Sequence, residues 1–205
     1  KVQTPNGEDK VLLHSCCAPC SSAIIECMLE NGIRPTVFYC NPNIYPQAEY
    51  EKGKNEAIRF VTSKNIDFID ADYDYAHWLH TMQGLEHEPE RGSRCLKCFT
   101  LRLTETARYA SEHGFSVFTT TLASSRWKSL EQINEAGAVP AALYPGAPSS
   151  WEQNWRKGGL QDRRNQLLKE YDFYNQQYCG CEFSMQRLEK NETYKTGRIM
   201  YGIAP

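Results

Sequence analysis

Apolar positions along the chain alternate between short unbroken runs and stretches with the three-and-four spacing of a helix. Lys10-Val-Leu-Leu-His14 reads as a short buried strand feeding a turn. Ser21 or Ser22 then caps a helix through Ile24, Ile25 and Met28, which Asn31-Gly32 ends. Thr36 to Cys40 reads as a second strand, Asn41 to Pro46 as a loop, and Gln47 to Lys64 as a long helix weakened by the internal Gly53. A third strand follows at Phe68 to Ala71, and the charged stretch from Gly84 to Ser93 reads as surface loop. A helix from about Cys95 to Gly114, a strand at Ser116 to Thr121 and a helix at Ser129 to Ala136 continue the alternation. Pro140 to Gly159, rich in proline and glycine, reads as an irregular lid or crossover, and Leu160 to Tyr178 as a polar helix. The stretch from Gln186 to Pro205 has weak periodicity and is expected to be partly ordered. Strands alternating with helices in this way imply parallel crossover units and an α/β class.

Length and composition add limits. A chain of 205 residues, 40% hydrophobic and 23% charged, predicts one α/β domain over 1–205, with a core at 10–184 and a tail at 185–205. No apolar run approaches membrane-spanning length, and the polar first ten residues have no secretory-signal character, so the cytoplasm is the expected compartment. Twenty-three basic and 25 acidic residues give a net charge of −2, so any nucleic-acid contact has to come from a local patch.

The cysteines change the picture most. Seven of nine fall in three tight sets: Cys16-Cys17-x-x-Cys20, Cys95-x-x-Cys98 and Cys179-x-Cys181. A chain of this length needs no disulfide staples, so short-spaced thiols point to a metal or redox centre. Cys16 and Cys17 follow the first strand, where such sheets bind ligands, and the next helix aims its positive end at them. Cys95 and Cys98 share a helical face, and four thiolates from the two sites satisfy an iron–sulfur cluster or a structural zinc. Seven thiols exceed the needs of one structural zinc. Cys179-Gly-Cys181 is a separate unit that either closes a small strained disulfide or binds a second metal ion. Cys27 and Cys40 read as packing thiols. The first turn has no G-x-G-x-x-G and no phosphate-loop lysine, which argues against nucleotide chemistry. His14 is the histidine beside a cysteine set, either a ligand or acid or a buried hydrogen-bonded residue.

Four motifs in order carry a resemblance: His14-Ser-Cys-Cys-Ala-Pro-Cys20, Asn41-Pro-Asn-Ile-Tyr-Pro46, Arg94-Cys-Leu-Lys-Cys98 and Phe173-Tyr-Asn-Gln-Gln-Tyr-Cys-Gly-Cys181. Together, from about Val11 to Ser184, the chain resembles the cobalamin-independent epoxyqueuosine reductases. The resemblance implies a Rossmann-like sheet with helices on both faces and a C-terminal helical segment. It implies a [4Fe-4S] cluster, an adjacent single iron, and reduction of the epoxide on a modified tRNA wobble base to an alkene. By motif, Cys16, Cys17, Cys95 and Cys98 would be cluster ligands, Cys20 joins the metal-binding set, and Cys179 with Cys181 would be the redox-active pair. Proton-donor candidates are His14, Tyr39 and Tyr178. An electron-donor protein or other reductant would be a second partner beside tRNA, with no membrane involved. Arg94, Lys97, Arg126, Arg156 and Lys157 are the tRNA-binding candidates. Further basic groups are Arg91, Arg102, Lys128, Arg163 and Arg164, and Trp127, Trp151 and Trp155 among them are suited to stacking on splayed bases. The contrasting expectation is a zinc-stabilised module that binds nucleic acid without catalysis.

Overall fold

Five parallel strands, in the order β3-β2-β1-β4-β5, form the sheet that carries every other element of the computed structural model, which describes residues 1–144, 146 and 148–187. They are β1 (Lys10–His14), β2 (Arg34–Tyr39), β3 (Phe68–Asp70), β4 (Val117–Thr120) and β5 (Ser149–Ser150). The order turns outward in both directions from β1, so β1 and β4 flank the point where successive connections diverge. Ligand clefts of open α/β sheets lie there, beyond the strands' carboxyl ends. Around the sheet lie the helices α1 (Ala18–Glu30), α2 (Gln47–Ser63), α3 (Tyr75–Thr81), α4 (Ser93–Glu112), α5 (Leu130–Ala141) and α6 (Leu160–Glu170).

Strand alternation decides which helix covers which face. Val11, Leu13, Val37 and Val117 join Ile24, Ile25 and Met28 of α1 and Phe60 and Val61 of α2 in one buried cluster. Leu12, Phe38 and Phe118 point the other way, onto Ala107 and Ala110 of α4. Helix α6 packs on α1, and α5 on α4. The sheet is therefore buried on both sides, as its nearly unbroken apolar strands require.

Several boundaries differ from the sequence expectation. Helix α1 starts at Ala18, with Cys17 as N-cap and proline in its first turn, because Ser21 and Ser22 do not cap it. Ser21 Oγ donates back to the Cys17 carbonyl at 2.9 Å and Ser22 Oγ to that of Pro19 at 3.5 Å. Strand β2 begins two residues early, Pro35 pairing with Val11. Helix α3 replaces what the sequence left without an element, capped by the Asp74 carboxylate on the His77 N–H at 2.9 Å. Strand β5 lies inside the proline- and glycine-rich stretch read as irregular. Helix α6 stops at Glu170 rather than Tyr178, and Asp172 takes a left-handed φ of 49°. A short helical segment at 182–187 follows Cys181, and 188–205 of the expected tail lie outside the described residues.

Glu26 of α1 ties this side together, accepting from Lys64 Nζ at 3.0 Å and from Arg163 Nε at 2.7 Å. Burial opposes its charge, but the two cations outweigh it and hold its pKa below the usual carboxylate range. A depressed folded pKa gives stability that is present above the unfolded carboxylate pKa and is lost as pH falls through the folded one. Glu26→Gln is expected to lower unfolding free energy by about 1 kcal/mol at neutral pH. Urea denaturation should show the gap closing in acid; a gap that persists there would mean that packing, not charge, is lost.

Candidate active site

Beyond the carboxyl ends of β1 and β2 opens a cavity of about 960 Å³, and Cys16, Cys17, Cys20, Cys95 and Cys179 all line it. The early start of α1 explains the first three. Cys16 and Cys17 end the β1 turn, and Cys20 lies one helical turn further on. Their ligand atoms lie within 4.8 Å of one another, with Cys16 and Cys17 Sγ 3.9 Å apart. Sulfhydryl hydrogen bonds from Cys17 and Cys20, the Lys128 charge and the Thr121 hydroxyl at 3.2 Å hold the Cys16 thiol well below the ordinary range despite burial. The same sharing pushes Cys17 up, and Cys20 up to about 11. Of the trio, Cys16 is the one whose surroundings favour the thiolate.

Helix α4 brings the second set. Cys95, Cys98 and Arg102 recur at i, i+3 and i+7 on its inner face. Cys95 Sγ accepts from the Arg91 N–H at 3.3 Å. Cys98 lies deeper, outside the cavity lining, where Trp78 Nε1 donates to its sulfur at 3.3 Å and Cys181 and Phe183 pack beside it. Burial raises both thiol pKa values. Neither sulfur belongs to the tight Cys16–Cys17–Cys20 group. The third set arrives on an irregular strap, not on a helix. Gly180 has φ 106° and its carbonyl accepts from the Tyr45 N–H at 2.8 Å, which presses the two-thiol unit against the Asn41–Pro46 loop. A side chain at Gly180 would meet Asn43 and Ile44 at 3.4 Å in a backbone conformation L-residues avoid. Cys179 is exposed, and all nine thiols are free.

Two cations serve this array. Arg102 is buried, donating to the Cys40 carbonyl at 3.1 Å and to Asn41 Oδ1, with no ion-pair carboxylate among the described residues. Asn41 in turn donates to the Ser15 carbonyl at 2.9 Å. Lys128 lines the cavity; burial works against its charge, but Cys179, Cys16 and Cys20 outweigh burial and raise its pKa.

The proton-donor candidates separate cleanly. His14 is fully buried behind the site and absent from its lining. Its Nε2 donates to the Cys40 carbonyl at 3.0 Å, so Nδ1 accepts from Thr120 Oγ1 at 2.7 Å. Burial and then Arg102 push its pKa down to about 3, which keeps it neutral. His14 is a brace. Tyr178 already donates to the Tyr45 carbonyl. Tyr39 lines the cavity, and its buried hydroxyl has no hydrogen-bond partner. Burial, then Cys17, keeps that hydroxyl protonated by raising its pKa.

Of the basic candidates, Arg94 is not available to a ligand. It is buried, and its Nη1 donates to the carbonyls of Leu85, Glu86 and Glu88 at 3.2, 2.9 and 2.6 Å. Arg156 is half-buried, donates to the Lys128 carbonyl at 2.9 Å, and like exposed Lys97 and Lys157 does not line the cavity. Arg126 is exposed at the rim. Trp151 and Trp155 belong to the core, whereas Trp127 is 73% exposed. Residues that the sequence did not single out are Trp78 and Thr121, which no spacing signal marks. Gly53, expected only to weaken its helix, lines the cavity.

A family model described as epoxyqueuosine reductase QueH matches residues 11–187. The chain belongs to the QueH family, a family of oxidoreductases. A QueH protein from Acinetobacter baylyi is 47% identical over 186 residues, covering 91% of this chain and 85% of that protein. One from Thermotoga maritima is 31% identical over 187 residues, covering 90% and 93%. The structure of the U34-tRNA thiolase NcsA from Methanococcus maripaludis with its [4Fe-4S] cluster shares the fold, with a TM-score of 0.52 and 14% identity over 95% of this chain and 70% of that one. Among the described residues of this QueH family member, no helix is long and apolar enough to cross a membrane.

Gly53 makes a test of the site's packing. A Cβ there would stand 2.9 Å from the Tyr39 hydroxyl oxygen. Alanine in an unobstructed helix interior stabilises by about 1 kcal/mol over glycine. Gly53→Ala is expected to show no such gain in urea unfolding, and Tyr39→Phe/Gly53→Ala to recover it. A full gain in the single variant would mean that the hydroxyl is not confined.

Proposed function

We propose that this QueH family member reduces the epoxide of epoxyqueuosine, carried at the wobble position of tRNA, to the alkene of queuosine. The observation that carries the reading is the convergence of five thiols from three distant segments on one cavity. An all-sulfur donor set suits iron–sulfur chemistry and disfavours hard cations. Cys16, Cys17, Cys95 and Cys98 would hold a [4Fe-4S] cluster, and Cys20, in contact with the first two, is available to a neighbouring iron. When bound, the cluster supplies electrons singly.

The remaining residues account for stoichiometry and charge. Converting an epoxide to an alkene breaks two C–O bonds and needs two electrons and two protons to release the oxygen as water. Oxidation of Cys179 and Cys181 to a disulfide breaks two S–H bonds, forms one S–S bond, and yields that number of each. An external thiol or electron-donor protein then returns the pair to dithiol. Tyr39 relays one of those two protons to the leaving oxygen and is reprotonated from the dithiol, because its hydroxyl alone of the three candidates is uncommitted. Arg102 and Lys128 hold positive charge beside the sulfurs. The tRNA backbone meets exposed Arg126 at the rim, with Lys97 and Lys157 further out.

A second reading has its own observation. A tetrahedral zinc with metal–sulfur bonds near 2.3 Å spaces its sulfurs by roughly 3.8 Å. The 3.9 Å between Cys16 and Cys17 fits that spacing, so a zinc-stabilised module for nucleic acid is the alternative.

Anaerobic reconstitution followed by an assay on epoxyqueuosine-containing tRNA tests the proposal. Cys16→Ser, Cys17→Ser, Cys95→Ser and Cys98→Ser should each lose most of the iron and all turnover, and full iron loading of the Cys95→Ser/Cys98→Ser pair would refute the ligand set. Cys179→Ser and Cys181→Ser should keep the cluster absorbance yet lose multiple turnover; full activity in both would remove the dithiol from the mechanism. Tyr39→Phe should lower kcat by about a hundredfold or more with iron content unchanged. An unaltered kcat would assign the proton to solvent.

A further inference from the structure

We propose that Trp127 is a stacking platform for an unpaired nucleobase next to the modified nucleoside, held in register with the thiol cavity by Arg91 and Arg156. The inference rests on the RNA-directed reading above. Trp127 lies on the loop between the short 3-10 helix at Thr121–Ser124 and α5, at the cavity mouth. At 73% exposure it leaves most of a large apolar ring in water. Tryptophan is enriched at binding interfaces, where the apolar ring is covered by a partner.

The loop that presents it is heavily braced. Arg91 Nε donates to the Trp127 carbonyl at 2.6 Å and its Nη2 to that of Arg126 at 3.3 Å. Arg156 Nη2 takes the next carbonyl, Lys128, at 2.9 Å. Three successive carbonyls are thus occupied by two guanidiniums that lie close enough to repel each other. Arg91 holds this position in a left-handed conformation, φ 66°, and its own carbonyl accepts from Gln132 Nε2 at 2.9 Å. The N–H of the same residue donates to Cys95 Sγ at 3.3 Å. One residue therefore ties the indole's backbone to a thiol of the reactive cavity, which fixes the distance between platform and chemistry.

The chemistry around the ring suits a base more than an apolar protein surface. The Arg126 guanidinium lies over one face of the indole, 5.4 Å from its centroid, so a base would stack on the opposite face with a cation near enough to meet its phosphate. Glu90 and Asp162 line the same cavity and offset part of the electrostatic attraction, so stacking has to carry more of the affinity. Unpaired bases of RNA loops are recognised in this way on aromatic side chains.

The test is a fluorescence titration with an anticodon stem-loop RNA bearing unmodified guanosine at the wobble position, which needs no turnover. Wild-type tryptophan emission should be quenched by the RNA, and Trp127→Phe should lose that quenching while binding within about threefold of wild type. Trp127→Ala should weaken binding roughly tenfold at every salt concentration with an unchanged salt slope, because no ion pair is removed. Arg126→Ala should instead flatten the slope. Unchanged affinity in Trp127→Ala, or a loss that changes the salt slope, overturns the platform. Trp127-dependent RNA binding by a protein that fails to reduce epoxyqueuosine would leave the platform standing and sink the reductase reading. An unchanged KM for tRNA in a reducing Trp127→Ala enzyme would do the reverse.

Discussion

A buried guanidinium organises this molecule. Arg102 reaches from α4 to the carboxyl ends of the first two strands, where it grips the Cys40 carbonyl and the Asn41 side chain. Asn41 passes the contact to the Ser15 carbonyl, and His14 closes on the same Cys40 oxygen. A buried charge without a carboxylate partner is costly, and here the Cys40 carbonyl and the Asn41 side-chain oxygen satisfy part of its donor set. Arg102 lowers the pKa of Cys98 and Cys40 while burial raises both. It also follows burial in lowering that of His14. One cation thus joins the backbone at the switch point, helps keep His14 neutral, and works against the burial that raises Cys98 and Cys40.

The carbon framework of the site follows from this placement. Strand β1 delivers two thiols, the first turn of α1 a third, α4 two more, and the strap after α6 the last pair. Each comes from an element whose position the sheet or its connections dictate. The rigidity differs accordingly. Cys98 sits under Trp78 in an aromatic pocket, while Cys179 lies exposed on the strap. That contrast suits fixed ligands on one side and a pair that exchanges electrons with outside reductants on the other.

Much of this could be read in the residues. The alternation of strands and helices gave the α/β class, and the first two cysteine sets sat at a predicted strand end and a predicted helix start, whereas the third was expected on a helix that in fact stops at Glu170. Position within the fold was harder. Ser21 and Ser22 look like caps, but a proline at the start of α1 and hydroxyls that bond backward move the helix four or five residues earlier and bring Cys20 to the others. Arg94 and Arg102 look like surface charge and are buried, Arg94 because the loop just before α4 folds its own carbonyls onto it and Arg102 because the Cys40 carbonyl reaches it from the far end of β2. Trp151 and Trp155 stand among polar residues in sequence, yet pack edge-to-face at 5.2 Å in the core. Such burial depends on tertiary contacts that no local period encodes.

The central claim is that sulfur-rich walls in this cavity hold an iron–sulfur centre. Native mass spectrometry of the protein purified without oxygen tests it directly. The account predicts a mass increment of a [4Fe-4S] unit, carrying inorganic sulfide, on the intact chain. An increment of a single zinc with no sulfide would contradict it and leave a structural metal in its place.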